Sequence, residues 1–209
     1  EKDIDKAAKT RIVIKGYTEI PGVDYTEKFA PVATSTTVNM ILAMALYRMD
    51  GPDKWNVESI DVEAAFLQSD MPKDMVVYLE WPEGIEKFGI ITPEERVNSV
   101  AQMMSPMYGK VDVPKMWKET LSMHCKNHSV LESKIDPCLF YLKDSQGKVV
   151  LLSATTVDDI LIAGTSQARM MLKNILKKRF DIKELGPLQK HLGIYYNLKR
   201  DSKYEPHYE

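Results

Sequence analysis

The stretch Leu151-Leu-Ser-Ala-Thr-Thr-Val-Asp-Asp-Ile-Leu-Ile-Ala-Gly164 decides how this chain is read. It is apolar on both sides of Val157-Asp158-Asp159, and each flank has the length of a β-strand. Two such runs joined by a polar tip predict a tight hairpin. Adjacent carboxylates at that tip repel each other and resist desolvation. A divalent cation removes both costs, and Mg²⁺ suits the place because it takes one or two carboxylates together with phosphate oxygens and water. Taken alone, an Asp-Asp pair in a turn is ordinary turn chemistry.

A third carboxylate changes the weight of that pair. Trp55-Asn-Val-Glu-Ser-Ile-Asp61 alternates like a strand and runs into the compact Val62-Glu-Ala-Ala-Phe66 segment. A single aspartate at a strand end is commonly a solvated cap. If the strand ends are neighbours, however, Asp61, Asp158 and Asp159 meet at one point. Such a cluster suits two metal ions about 3.5–4 Å apart, activating an attacking hydroxyl and stabilising a leaving oxygen. That is the machinery of phosphoryl transfer.

Further out, Thr10–Lys15 predicts a short strand, and Thr36 or Thr37 can cap a helix through Val38–Leu46. Met75–Glu80 predicts a strand stopped by Pro82, and Thr92-Pro-Glu-Glu95 has the form of a capping box. Helical spacing of Trp117, Leu121 and Cys125 predicts a helix from Val113 to about Asn127. Leu139–Leu142 and Val149–Leu152 flank a turn and predict a second hairpin. A helix from Ser166 to about Phe180 would bury Met170, Met171, Ile175 and Leu176 and expose Lys173, Lys177 and Lys178. Leu192–Leu198 closes as a strand. The mixture predicts an α+β fold, with helices on one face of a mainly antiparallel sheet.

The 209 residues suffice for one domain with an appended subdomain, and no repeat points to a solenoid. No apolar stretch reaches the roughly 18 residues of a membrane span, so no membrane partner is expected. The charged first residues lack the apolar middle of a secretory signal, and the chain does not begin with Met, so a processed product or a piece of a longer polypeptide is expected. Cys125 and Cys138 have no zinc spacing and read as reduced thiols of an intracellular protein. Net charge is −2, which argues against a strongly basic nucleic-acid footprint. The imbalance is uneven: residues 51–150 hold 11 Lys/Arg against 16 Asp/Glu, and residues 151–209 hold 10 against 7.

Ser59-Ile-Asp-Val-Glu-Ala-Ala-Phe-Leu67 resembles the Asp-Val-x-x-Ala-Phe-Leu block of copia-type retrotransposon reverse transcriptases, and Thr156-Val-Asp-Asp-Ile-Leu-Ile-Ala-Gly164 resembles their Tyr-Val-Asp-Asp hairpin. Lys9–Thr18, Gly22–Val32, Val77–Gly84, Met107-Tyr-Gly109, Pro114, Trp117, Asp136–Tyr141 and Leu192-Gly-Ile194 resemble further blocks in the family's order. The resemblance implies a right-hand polymerase: a ferredoxin-like palm over roughly 51–81 and 113–209, and fingers over roughly 1–50 and 82–112. It implies Asp61 and Asp158 as principal Mg²⁺ ligands, with Asp159 supporting and Mn²⁺ as an alternative ion. Arg11 matches the fingers arginine that reaches the phosphates of the incoming nucleotide. Phe66 matches the aromatic that crowds the sugar 2′ position, and Ala65 would offer its backbone N–H to the triphosphate.

The chain departs from the family where Leu-Tyr-Gly-Leu-Lys-Gln-Ala-Pro-Arg-x-Trp becomes Met107-Tyr-Gly-Lys-Val-Asp-Val-Pro-Lys-Met-Trp117. Asp112 replaces a glutamine that contacts the nucleotide, and a carboxylate there would repel a triphosphate unless protonated or turned away. Thr156 replaces an aromatic, and Met104 and Ser105 replace basic residues. The sequence stops soon after Leu192-Gly-Ile194, where the family continues into a thumb and then an RNase H domain, and without a thumb a weak grip on template-primer is expected. The expected activity is RNA-directed DNA polymerisation as part of a retrotransposon Pol polyprotein, with template-primer, deoxynucleoside triphosphates and the remaining Pol regions as partners, in a cytoplasmic particle or the nucleus. The alternatives are a domesticated, non-catalytic copy serving as a component of a protein assembly, and an unrelated α+β metal hydrolase.

Overall fold

A computed structural model describes residues 11–197. In chain order the elements are α1 (Ser35–Arg48), β1 (Asn56–Val62), β2 (Tyr78–Leu79), α2 (Pro93–Asn98), β3 (Ala101–Gln102), α3 (Val113–Asn127), β4 (Leu131–Glu132), β5 (Leu139–Lys143), β6 (Val149–Thr156), β7 (Asp159–Gly164), α4 (Ser166–Lys177), β8 (Ile182–Pro187), β9 (Lys190–His191) and β10 (Ile194–Tyr195). They divide into two compact units, Glu1–Phe29 with Phe66–Trp117, and Ala30–Ala65 with Lys118–Glu209.

The second unit is built on a six-stranded sheet of order β4-β5-β6-β7-β1-β8, every neighbouring pair antiparallel. The chain runs from β1 through α3 to β4, β5, β6 and β7, then through α4 to β8, which returns to pair with β1, so β1 lies between β7 and β8. On one face, Val57, Leu152, Ala154, Leu161 and Ala163 pack with Val38, Ile41, Leu42 and Ala45 of α1. The alternate residues Leu151, Ile160 and Ile162 are equally buried and point the other way, the side of α4. There α3 meets α4: His124 Nε2 lies 2.7 Å from the Ile175 carbonyl, and its ring stands edge-on to Phe180 at 5.2 Å. Helices therefore cover both faces, where the sequence predicted one. The reason lies in β6 and β7, whose consecutive residues Leu151 to Thr155 and Ile160 to Gly164 are all buried and need cover on both sides.

Asp136 ties α1 to this sheet. Its carboxylate accepts hydrogen bonds from the Cys138 amide at 2.9 Å, from the Thr34 amide and hydroxyl at 3.4 Å each, and from the Thr37 hydroxyl. Burial pushes its pKa up, but these donors outweigh that and hold it below the usual carboxylate range. The Cys138 thiol donates to the Pro31 carbonyl at 3.2 Å. Capping of α1 falls to Thr34, whose side chain accepts from the Thr37 amide, two residues before the earliest cap expected from the sequence.

Other expectations shift locally. In α4 the buried set is Ala168, Arg169, Leu172, Ile175 and Leu176, while Met170 and Met171 are exposed. Residues 168, 172, 175 and 176 form one helical stripe, and 170 and 171 fall off it. Arg169 lies on the stripe and is accepted there because Glu58 and the Gly164 carbonyl meet its guanidinium at 2.9 and 2.6 Å. The expected strand at Leu192–Leu198 is instead a hairpin of β9 and β10, with Leu192 and Gly193 at positive φ in its turn. Leu198 lies outside the described residues.

In the first unit, residues 11–15 form no strand, and Lys9 and Thr10 lie outside the described residues. The segment is held instead by a bond from the Ile14 amide to the Tyr108 carbonyl at 2.8 Å. Gly109 is obligatory beside it: φ is +94°, and a Cβ there would stand 2.1 Å from the Ile14 carbonyl oxygen. The strand expected at Met75–Glu80 shrinks to β2, paired with β3. The capping box at Thr92 and Glu95 is present in both directions.

Candidate active site

The chain positions its aspartates by register. β1 and β7 pair so that Asp61 lies directly opposite Asp159, one step beyond Ile60 opposite Ile160. Directly opposed residues send their side chains to the same face. That face runs outward from the α1 core: Val57 and Ala163, then Ser59 and Leu161, both buried, then the half-buried Asp61 and Asp159. β6 and β7 close with Thr156 opposite Asp159, leaving Val157 and Asp158 as the two loop residues. The Val62 amide donates to the Asp158 carbonyl at 2.9 Å, fastening the hairpin tip to the end of β1. Asp158 itself is exposed.

Val157 sits at φ +55°, a region that costs a β-branched residue energy. Ala64, just beyond β1, has φ +48°. Strained backbone thus lies next to the carboxylates in both segments that carry them.

The electrostatics follow from proximity. Desolvation raises the Asp159 pKa, and the charges of Asp158 and Asp61 raise it further, with His191 opposing. His191 is 3% exposed, and its Nε2 has no hydrogen-bond partner. Burial lowers its pKa, against the pull of Asp159. The three aspartates thus bring negative charge together, offset only in part by Lys183 opposite Asp61, and their oxygen donors suit a hard divalent cation. Among the described residues, no three His, Cys, Asp or Glu side chains are set to enclose one ion. Carboxylate oxygens are the donors that a hard ion such as Mg²⁺ takes, with water and phosphate oxygens able to complete its shell.

The first unit holds most of the residues expected at a nucleotide. The Arg11 guanidinium lies over the Tyr108 ring at 5.9 Å, and that ring is 5.0 Å from Phe66, tilted by 49°. Tyr108 therefore links the two, a role that sequence reasoning missed although the residue lies in the Met107-Tyr-Gly109 motif. Asp112 is 7% exposed, and its Oδ1 lies 2.8 Å from the Lys110 ammonium. Ala65, in the second unit, is buried and opens a single 3-10 turn, Ala65–Gln68.

Comparison with known proteins gives a family. The profile described as reverse transcriptase (RNA-dependent DNA polymerase) matches residues 1–203. The chain is 33% identical over 196 residues to the retrovirus-related Pol polyprotein from transposon TNT 1-94 of Nicotiana tabacum, covering 93% of this chain and 14% of that protein. The corresponding Pol polyproteins from transposons RE1 and RE2 of Arabidopsis thaliana are 33% and 32% identical over 189 residues, each covering 89% of this chain and 12% of the relative. The chain thus spans about one-seventh or less of the length of these relatives. No solved structure matches.

Proposed function

Because the chain belongs to the reverse transcriptase (RNA-dependent DNA polymerase) family, as the copia-type resemblance of its motifs implied, we propose that it extends a primer on an RNA or DNA template with deoxynucleotides. In this reading Asp61 and Asp158 are the principal ligands of Mg²⁺, or of Mn²⁺ in its place, and Asp159 supports them. The observation that carries it is the register that sets Asp61 opposite Asp159 while the Val62 amide holds the Asp158 carbonyl.

Bound divalent ions would supply charge neutralisation at the attacking and leaving oxygens. The chain supplies the rest. The paired ends of β1 and β7 fix where the carboxylates stand, so little reorganisation is needed when charge develops. Arg11 would hold phosphate oxygens through its planar, permanently charged guanidinium. Phe66 would exclude a ribose 2′-hydroxyl by bulk, and the Ala65 amide would face the triphosphate. The partners are template-primer, deoxynucleoside triphosphates and the remainder of a Pol polyprotein, thumb and RNase H included, in a cytoplasmic particle or the nucleus.

The test is primer extension on an RNA template with Mg²⁺, using the chain within its complete polyprotein. Extension that disappears in Asp158→Asn and Asp61→Asn supports the reading. Extension that survives either substitution overturns the assignment of these aspartates as the metal ligands, and wild-type protein that extends nothing overturns the polymerase reading and favours a domesticated binding component.

A further inference from the structure

The block that departs most from the family pattern contains a buried charge cluster. Lys110 has only 2% of its side chain exposed, and Asp112 only 10%. The ammonium stands 2.8 Å from Asp112 Oδ1 and 3.7 Å from Glu19 Oε2, and donates to the Asp24 carbonyl at 3.2 Å. Glu19 Oε2 also accepts from the Val111 amide at 3.2 Å. Asp112 Oδ1 takes no well-directed hydrogen bond, so its compensation is the Coulombic attraction of the ammonium. A buried carboxylate without such a partner would be strongly disfavoured.

Positions 110 and 112 are a leucine and a glutamine in the pattern quoted above. Here both are charged, with opposite signs, and they touch. Two independent surface changes would have no reason to meet inside the protein.

We propose that Lys110 is a positioning residue that draws Asp112 inward, so that this carboxylate braces the turn after Gly109 and does not face the phosphates of a bound nucleotide. The ion pair stands on its own geometry, whereas its consequence at the nucleotide rests on the polymerase reading. With the pair intact, the triphosphate meets no added negative charge. With Lys110 gone, the Asp112 carboxylate gains by leaving the interior for water, and in the polymerase reading it would then add negative charge beside the bound triphosphate.

Two measurements on the full chain test this. In urea, Lys110→Met is expected to lower the unfolding midpoint by about 1 M, because a buried charge loses its partner. Asp112→Asn should cost less, since Lys110 keeps Glu19 and the Asp24 carbonyl. Lys110→Leu with Asp112→Gln together should recover at least half of the Lys110→Met loss. In equilibrium binding of a fluorescent deoxynucleoside triphosphate with Mg²⁺, Asp112→Asn should stay within about twofold of wild type. Lys110→Met should weaken binding about tenfold, the size of one added like-charge contact in a partly desolvated site. Adding Asp112→Asn to Lys110→Met should restore it. Strictly additive midpoints, tighter binding in Asp112→Asn alone, or no rescue in the double variant would overturn the proposal. A wild-type chain that binds no triphosphate counts against the polymerase reading, and the midpoints alone then judge the ion pair.

Discussion

Removing a charge from the aspartate cluster should stabilise the metal-free protein. Asp61 and Asp159 are direct cross-strand partners, and such pairs place their Cβ atoms about 5 Å apart. Two unit charges at about 5 Å repel by roughly 0.8 kcal/mol in water and about twice that at half its dielectric constant. Salt at physiological strength screens about half of this, since the Debye length is about 8 Å. On the other side of β1, Asp61 faces the exposed Lys183, whose attraction would be lost and offsets part of the gain. Asp61→Asn should therefore raise stability by about 0.5–1 kcal/mol in chelator, or roughly 1–4 °C in melting temperature for a chain of this size. The sign with pH is fixed by Asp159. Its folded pKa is raised, mainly by desolvation and then by Asp158 and Asp61, so the folded state holds that proton more tightly than the unfolded one. Its contribution to stability grows as pH falls toward the ordinary carboxylate value and is lost as pH rises through the raised one. The advantage of Asp61→Asn should shrink over that window, because protonating Asp159 relieves the same repulsion in wild type. The assay is urea unfolding of both proteins in chelator between pH 7.5 and 4.5. A variant less stable than wild type at pH 7.5, or an advantage that does not change with pH, would refute the reasoning.

Val157→Gly should leave stability unchanged or raise it by up to about 1 kcal/mol, because relief of a β-branched residue at φ +55° opposes the added chain entropy; calorimetry would read it, and a clear loss would show that Val157 packs rather than strains. Burial pushes the thiol pKa of Cys125 up to about 12 and that of Cys138 to about 11, so neither should react with a thiol reagent at pH 8 until urea unfolds the chain. Arg169→Met should cost about 3 kcal/mol, since Glu58 would lose the buried guanidinium that meets it at 2.9 Å and keep only Lys173; chemical denaturation measures this, and a loss under about 1 kcal/mol would mean Lys173 suffices.

The central hairpin was legible because its signal is redundant: apolar runs of strand length on each side of Val157-Asp158-Asp159 leave few other structures. β1 and α3 were legible through their periodicity, and the Thr92 cap through its local chemistry. The rest depended on partners distant in sequence. Met170 and Met171 look as apolar as Ile175, and only the sheet beneath α4 decides that they face out while Arg169 faces in. Residues 11–15 have strand propensity, but the segment finds its partner in the Tyr108 carbonyl, so no ladder forms. The turn at Leu192-Gly193 was masked by an apolar run, although Gly193 marked it. Asp112 seemed a liability until Lys110, two residues away, proved to be its counter-ion; the pairing of opposite charges at two unusual positions was the available signal. Tyr108 carried no signal of its own, because nothing local links residue 108 to residues 11 and 66.

The claim on which the rest depends is that Asp61 and the hairpin aspartates bind one catalytic ion site. Isothermal titration of Mn²⁺ into the chain in the presence of a deoxynucleoside triphosphate and template-primer addresses it directly, with Asp61→Asn and Asp158→Asn measured alongside. Binding by wild type that each substitution weakens by at least tenfold is the expected result. Equal binding in all three proteins would contradict the account.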